Sequence, residues 1–180
     1  CDKAFAEYRV ATSVYKLWIK FPAEFNDRNG IGFKYWITKK KILKGDGKHM
    51  NIGFIAHDAK KKLMQNFCIA YRGILAHHDL FSTGTTGRLI EEVTTLNVHK
   101  YLAGHLGGVQ QMGSQIESNQ MDLVIFLRDP QNPKSHEPDI KDIARLCDIH
   151  NIPLATNLAT AEMLIKAMEN GDLDWRELYH

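Results

Sequence analysis

One segment constrains the fold more than any other: Asp122-Leu123-Val124-Ile125-Phe126-Leu127. It is a near-continuous apolar run of strand length, without the polar alternation of a strand that shows one face to water. Such a run is stable only when both faces of the strand are covered, as in a parallel sheet with helices on either side. With 180 residues, 44% of them apolar and 24% charged, the chain can bury one full core but not two ordinary ones. The same balance excludes disorder, collagen and coiled coil as the dominant state.

The rest of the chain from Met50 alternates between two periodicities. Met50-Asn51-Ile52-Gly53-Phe54-Ile55-Ala56 is a second apolar run, ending at His57-Asp58. Leu63, Met64, Phe67, Ala70 and Tyr71 then recur at helical spacing. A strand at 78–82 leads into Thr83-Gly84-Thr85-Thr86-Gly87, and Leu89, Ile90, Val93 and Leu96 mark the next helix. Val98 to Ala103 reads as a third strand, Gly104 to Gly108 as a turn, and Val109, Met112 and Ile116 as a helix face. After the 122–127 strand, Pro138 is expected to begin a helix bearing Ile140, Ile143, Ala144 and Cys147, since Pro fits the first helical position. Ile152 to Thr156 is a fifth strand, and Met163, Leu164, Ala167 and Met168 a fifth helix. The expected class is α/β: a doubly wound, five-stranded, mostly parallel sheet with helices on both faces.

Residues 1–49 stand apart as an unplaced, basic, aromatic-containing extension, with 50–180 as the domain. Through residue 50 the chain carries 11 Lys+Arg against 5 Asp+Glu; from 51 onward it carries 12 against 16. A basic arm can bind nucleic acid, but an extension outside the main domain, an appended or mis-assigned leader before a natural start at Met50, is the preferred reading; it holds 9 of the 17 aromatic residues and so is not simply a flexible tag, and no nucleic-acid partner is expected. No apolar stretch is long enough to span a bilayer, and Cys1-Asp2-Lys3 opens no readable secretory signal. Three widely spaced cysteines, Cys1, Cys68 and Cys147, fit a reducing compartment, with the last two as small core residues. The chain is expected to be cytoplasmic, without a membrane partner.

In a doubly wound sheet, ligands bind beyond the carboxyl ends of the strands. The segments that fall there are His57, Asp58 and Lys61; Thr83 to Gly87; Gly104 to Val109; Asp129 to Asp139; and Asn157. The 83–87 segment opens a helix, so its N–H groups, hydroxyls and helix dipole favour an anion. No Gly-Lys-Ser/Thr follows, which disfavours nucleoside triphosphates. Lys61 can add a point charge for phosphate. The stretch Ser135-His136-Glu137-Pro138-Asp139, with Asp129, can divide acid, base and hydrogen-bonding roles. His57, Asp58, His136 and Asp139 are conceivable metal ligands, but no ligand spacing supports a metal and none is expected. Glu137 or Asp139 equally suits a helix N-terminus; His77, His78, His99 and His150 read as surface or structural.

These motifs, in order and without large gaps, resemble the methylglyoxal synthase family. The matching stretches are Ile55-Ala56-His57-Asp58, Thr83 to Gly87, Gly107-Gly108-x-Gln110-Gln111, Phe126 to Pro130, His136 to Asp139 and Ile152 to Asn157. The resemblance implies a cytoplasmic homohexameric lyase, free of cofactors, that converts dihydroxyacetone phosphate into methylglyoxal and phosphate through an enediolate. It implies that Lys61, Thr83, Gly84, Thr85, Thr86 and Gly104 hold the phosphate, and that His57 contacts substrate near the anion end. His136 would polarise the carbonyl or enediol oxygens, with Asp58, Asp129 and Asp139 in supporting hydrogen-bond or proton-transfer roles.

The chain departs from the pattern at one turn. The family reads Ser-Gly-Pro-x-Gly-Gly-Asp-Gln-Gln; this chain reads Ala103-Gly104-His105-Leu106-Gly107-Gly108-Val109-Gln110-Gln111. Val109 stands where the family places its catalytic aspartate, and Ala103 lacks a hydroxyl for the phosphate. Losing a positioned general base costs on the order of 10² to 10⁴ in rate. Three outcomes are open: a synthase impaired at one position, a synthase with a substitute base (Asp129, Asp139 or His105), or a phosphate-ligand binding module. Val109 also fits helical spacing with Met112 and Ile116 and so extends an apolar face.

Overall fold

The computed structural model describes residues 49–131, 137 and 139–179, together with the backbone of a short antiparallel pair, Ala6–Glu7 with Lys20–Phe21. The expectations for the rest of the N-terminal extension, for His136 and for Pro138 lie outside the described residues.

Five strands form one parallel sheet: β1 (Asn51–Ala56), β2 (Asp79–Ser82), β3 (Val98–Lys100), β4 (Leu123–Leu127) and β5 (Leu154–Ala155). Their spatial order is β3-β2-β1-β4-β5. The chain therefore winds outward in one direction from β1 to β3 and in the other from β4 to β5, and the reversal lies between β1 and β4. Register across that seam pairs Ile52 with Leu123 through Ala56 with Leu127.

The helices are α1 (Lys61–Ala70), α2 (Arg72–Leu75), α3 (Gly84–Thr94), α4 (Gly108–Glu117), α5 (Lys141–Ile149) and α6 (Leu158–Glu169). Side chains of β4 alternate between two cores, as the pleat requires. Leu123, Ile125 and Leu127 join Met64, Phe67, Ile90 and Ile165 on one face, while Val124 and Phe126 join Met112, Ile116, Ile143 and Cys147 on the other. All five β4 residues are buried, each worth roughly 1.5–3 kcal/mol for the large ones. Burial also pushes the Cys68 and Cys147 thiols up to about 12, which marks them as inert packing groups.

Three boundaries differ from expectation. The third strand stops at Lys100 instead of Ala103, because the chain turns toward the 3-10 helix at Gly104–Leu106. The fifth strand keeps only Leu154–Ala155: Pro153 has no N–H to donate, although its carbonyl accepts from Val124 at 3.0 Å. Helix α5 begins only at Lys141, after the non-helical Asp139 and Ile140, since the Asp139 carboxylate accepts the Lys141 N–H at 3.1 Å in an Asx-type turn and the Ala144 N–H donates to Ile140 O.

Candidate functional site

The carboxyl ends of β1, β2 and β4 converge on a half-open hollow of about 380 Å³, solvent space included. Its lining comes from Ile55 and Ala56 at the end of β1, Asp58 and Lys61 after it, Thr83, Thr85 and Thr86 after β2, Gly104 and His105 from the turn before α4, and Glu137. The hollow adjoins the seam where strand order reverses, where such folds hold ligands.

Thr83 is the N-cap of α3, with extended φ/ψ (−62°, 143°), and it is buried. The Gly84 N–H donates to Leu102 O at 3.0 Å, and the Gly87 N–H closes the first turn on Thr83 O at 2.9 Å. Between them, the Thr85 and Thr86 N–H groups have no intrahelical acceptor, as at every helix start. The Thr83 and Thr86 hydroxyls are 3.4 Å apart. Two backbone donors, neighbouring hydroxyls and the positive end of the helix dipole thus meet in one place.

Lys61 brings the only lysine charge among the described lining residues. Its Nζ lies 2.5 Å from Asp58 Oδ1, a bond made possible because the 3-10 turn Asp58–Lys60 puts both residues on one side of the chain. Asp58 offsets part of the lysine charge and fixes its position.

Behind the hollow, the ends of β1 and β4 are stitched together. The His57 N–H donates to Leu127 O at 3.0 Å, and the Asp129 N–H donates to His57 Nδ1 at 3.1 Å. The second bond needs a lone pair on Nδ1, which places the neutral ring's proton on Nε2. His57 is 6% exposed and stands edge-on to Phe126, with centroids 5.5 Å apart. Glu137, 5% exposed, takes the Asp58 N–H on Oε1 at 2.7 Å and sets Oε2 3.3 Å from His57 Nδ1.

Not every expected residue joins the hollow. Asp58, Lys61, Thr83, Thr85, Thr86 and Gly104 line it, and Gly84 begins the helix that supplies the donors. His57 and Asp129 sit just behind it. The Asp129 carboxylate accepts the Gln131 N–H at 3.2 Å. Ala103 caps the 3-10 turn, its carbonyl accepting from Leu106 and Gly108. Asp139 is exposed; its carboxyl holds the Lys141 N–H and lies 3.2 Å from Lys141 Nζ, and these bonds keep its pKa below the usual aspartate value. Asn157 caps α6 through the Thr160 N–H at 3.0 Å. Among the described residues, no three His, Cys, Asp or Glu side chains converge as a metal-binding group.

The turn before α4 allows almost no substitution in its backbone. Gly107 has φ +99°, a left-handed conformation, and a Cβ on Gly108 would lie 1.9 Å from Leu102 O. Val109, next in the chain, is 8% exposed and packs in the same apolar cluster as Ile55, Met112, Ile116 and Phe126.

Sequence reasoning undervalued Glu137. Its signal was present, as a carboxylate one residue after His136, but spacing cannot show that a residue in that stretch reaches Asp58 and His57 some eighty positions earlier.

Comparison with known proteins agrees with this architecture. The family model of the MGS-like domain matches residues 64–156. Methylglyoxal synthase from Caldicellulosiruptor saccharolyticus is 64% identical over 129 residues, which span 72% of this chain and 92% of that protein. The enzyme of the same name from Alkaliphilus metalliredigens is 59% identical over 128 residues, 71% of this chain and 96% of its own. The crystal structure of methylglyoxal synthase from Elizabethkingia anophelis superposes with a TM-score of 0.64 at 41% identity, over 65% of this chain and 77% of that one. With the switch-point hollow, the helix N-terminus and the stitched β1 and β4 ends in place, these matches show that the chain belongs to the methylglyoxal synthase family.

Proposed function

We propose that the chain is a carbon–oxygen lyase that binds dihydroxyacetone phosphate in the hollow and converts it to methylglyoxal and inorganic phosphate, at a rate limited by Val109. The observation that carries this reading is the convergence of Lys61 and the α3 N-terminus on one hollow at the strand reversal. A phosphate dianion there would take the Thr85 and Thr86 N–H groups, the threonine hydroxyls and the Lys61 ammonium, all charge-assisted bonds. A base then removes a proton from the carbon beside the carbonyl, and the enediolate expels phosphate as the C–O bond breaks.

The base is the weak link. Valine cannot accept a proton, and Val109 instead contributes to the core beside Met112 and Ile116. Of the three substitutes considered, His105 has the most support, because it lines the hollow, whereas Asp139 bonds Lys141 at the surface. His136 remains the candidate to polarise the carbonyl, and Asp58 and Asp129 to hold neighbouring groups. Substrate binding therefore outlasts catalysis, and a binding or regulatory module is the second reading. A homohexameric assembly of the family type is proposed with it.

The test measures methylglyoxal and phosphate release from dihydroxyacetone phosphate by the chain and by Val109→Asp. The variant is expected to be at least about 10²-fold faster, the lower end of what a positioned base contributes. It should also lose about 1–2 kcal/mol in urea unfolding, because a carboxylate replaces a core methyl pair, partly offset by the α4 dipole. Equal turnover by both chains would move the base elsewhere, and His105→Gln would then separate it. No product from either chain would leave the binding reading.

A further inference from the structure

The turn that brings Gly104 and His105 to the hollow is held to α3 through one residue, Leu102. β3 is an edge strand that stops at Lys100, and the Tyr101 N–H makes the last bond across the sheet, to Ser82 O at 2.9 Å. Leu102 therefore stands just beyond the ladder, with no further strand to take its backbone groups. Two helix starts take them instead. Its carbonyl accepts the Gly84 N–H of α3 at 3.0 Å, and its N–H donates to Gln111 Oε1 of α4 at 2.8 Å. The approach is close on both sides: a Cβ on Gly108 would lie 1.9 Å from Leu102 O, and one on Gly84 would lie 2.7 Å from Tyr101 O.

The entry and exit of the turn thus touch, at Leu102 and Gly108, and within it the Ala103 carbonyl accepts from both Leu106 and Gly108. Residues 103–107 form a closed loop whose attitude toward α3 is set by the two bonds on Leu102. Only one of those bonds comes from a side chain. Gln111 is the fourth residue of α4 and its own N–H is committed to Gly107 O at 3.0 Å, so the helix fixes where its amide oxygen can reach. Leu102 and Gln111 are both exposed, so water can replace their bond at small cost to the fold. What water cannot replace is direction.

We propose, resting on the reading of the hollow as an anion site, that Gln111 is a positioning residue: it holds the Leu102 peptide so that the Gly104–His105 wall and the α3 N-terminus stand at the spacing one phosphate group fills. Gln111 lies outside the lining of the hollow. Its effect passes through Leu102 to the Gly84 N–H, at the start of the helix that carries Thr85 and Thr86 into that lining.

The test compares the full chain with Gln111→Met and Gln111→Glu. Methionine keeps the length and helix preference of glutamine but offers no amide oxygen. Glutamate keeps an acceptor oxygen and suits the first turn of α4. Three quantities are read: backbone amide exchange, calorimetric affinity for inorganic phosphate, and the urea midpoint. Gln111→Met is expected to exchange the Leu102 and Gly84 amides about three- to tenfold faster and to bind phosphate about three- to tenfold more weakly. Its urea midpoint and the amides of β4 should not move. Gln111→Glu is expected to restore both amides and, in concentrated salt that screens its added charge, to restore the affinity. Faster exchange at Leu102 with Gly84 and phosphate affinity unchanged would overturn the proposal, because the influence of the bond would end at the turn. A lower midpoint with faster exchange throughout the sheet would overturn it too, making Gln111 an ordinary stabilising contact. If the unaltered chain binds no phosphate, the anion-site reading falls. The Gly84 amide then decides the clamp by itself: faster exchange in Gln111→Met upholds it, and an unchanged rate overturns it.

Discussion

The two edges of the sheet treat backbone polarity in opposite ways. At the amino edge, Arg176 is completely buried. Its two terminal nitrogens donate to His150 O, Asn151 O, Asn119 Oδ1 and Met121 O, at 2.6–3.2 Å, and its Nε lies 3.6 Å from Asp122 Oδ1. Asp122 also accepts the Asn51 N–H at 2.9 Å. One guanidinium thus ties the chain entering β4 to the chain entering β5, and Asp122 ties the start of β1 to both. At the carboxyl edge, by contrast, the α3 N-terminus presents Thr85 and Thr86 N–H groups without intrahelical acceptors, beside a lysine. The first edge spends its donors on the protein itself; the second keeps donors for a ligand. Stability and binding are therefore written into different residues, and substitutions should separate them.

The sharpest break comes from Arg176. Replacing it with Met removes the cation beside the buried Asp122 carboxylate and the donors to four carbonyl or amide acceptors, so a loss of about 3–5 kcal/mol is expected. Urea unfolding measures it, and phosphate affinity of the folded fraction should not move. A loss below about 1 kcal/mol would mean that the amino edge is not where the fold is tied.

Lys61→Met should behave in the opposite way. Its partner Asp58 is part-exposed and three residues away, a pair worth no more than about 0.5 kcal/mol. A charge-assisted bond to phosphate is worth about 1.5–3 kcal/mol, so affinity is expected to fall roughly 10- to 100-fold while the urea midpoint stays put. Calorimetry and unfolding on the same sample test both halves. A large stability loss with intact affinity would reverse the assignment of the carboxyl edge.

How far the sequence reveals these edges depends on whether a signal is local. The apolar 123–127 run dictates a strand covered on both faces, and Val124 and Phe126 do pack opposite Leu123, Ile125 and Leu127. Thr83 to Gly87 reads locally as a helix start suited to an anion, and its three threonines line the hollow. Nothing local announces Arg176: a basic residue among Asp174, Trp175 and Glu177 looks like a solvated turn, and its five partners come from two stretches far upstream, 119–122 and 150–151. Glu137 is hidden for the same reason, because its partners are brought to it by the pairing of β1 with β4. Asp139 shows the converse. The motif puts it beside the site, yet its carboxyl serves the two-residue turn into α5.

Asp139 yields the smallest effect and a test of which edge function it shares. Hydrogen bonds from the Lys141 N–H and side chain, together with the lysine charge, hold its pKa below the ordinary 3.8. Because the folded value is the lower one, the stability it supplies is present above about 3.8 and is lost as pH falls through the folded value. The group is fully solvated, so the contribution is small. Asp139→Asn is expected to flatten the difference between urea midpoints at pH 5 and pH 3 slightly, while phosphate affinity at neutral pH stays unchanged, since asparagine can still accept the Lys141 N–H. A clear drop in affinity would instead bring Asp139 into the binding wall, alongside Lys61 and the α3 N-terminus.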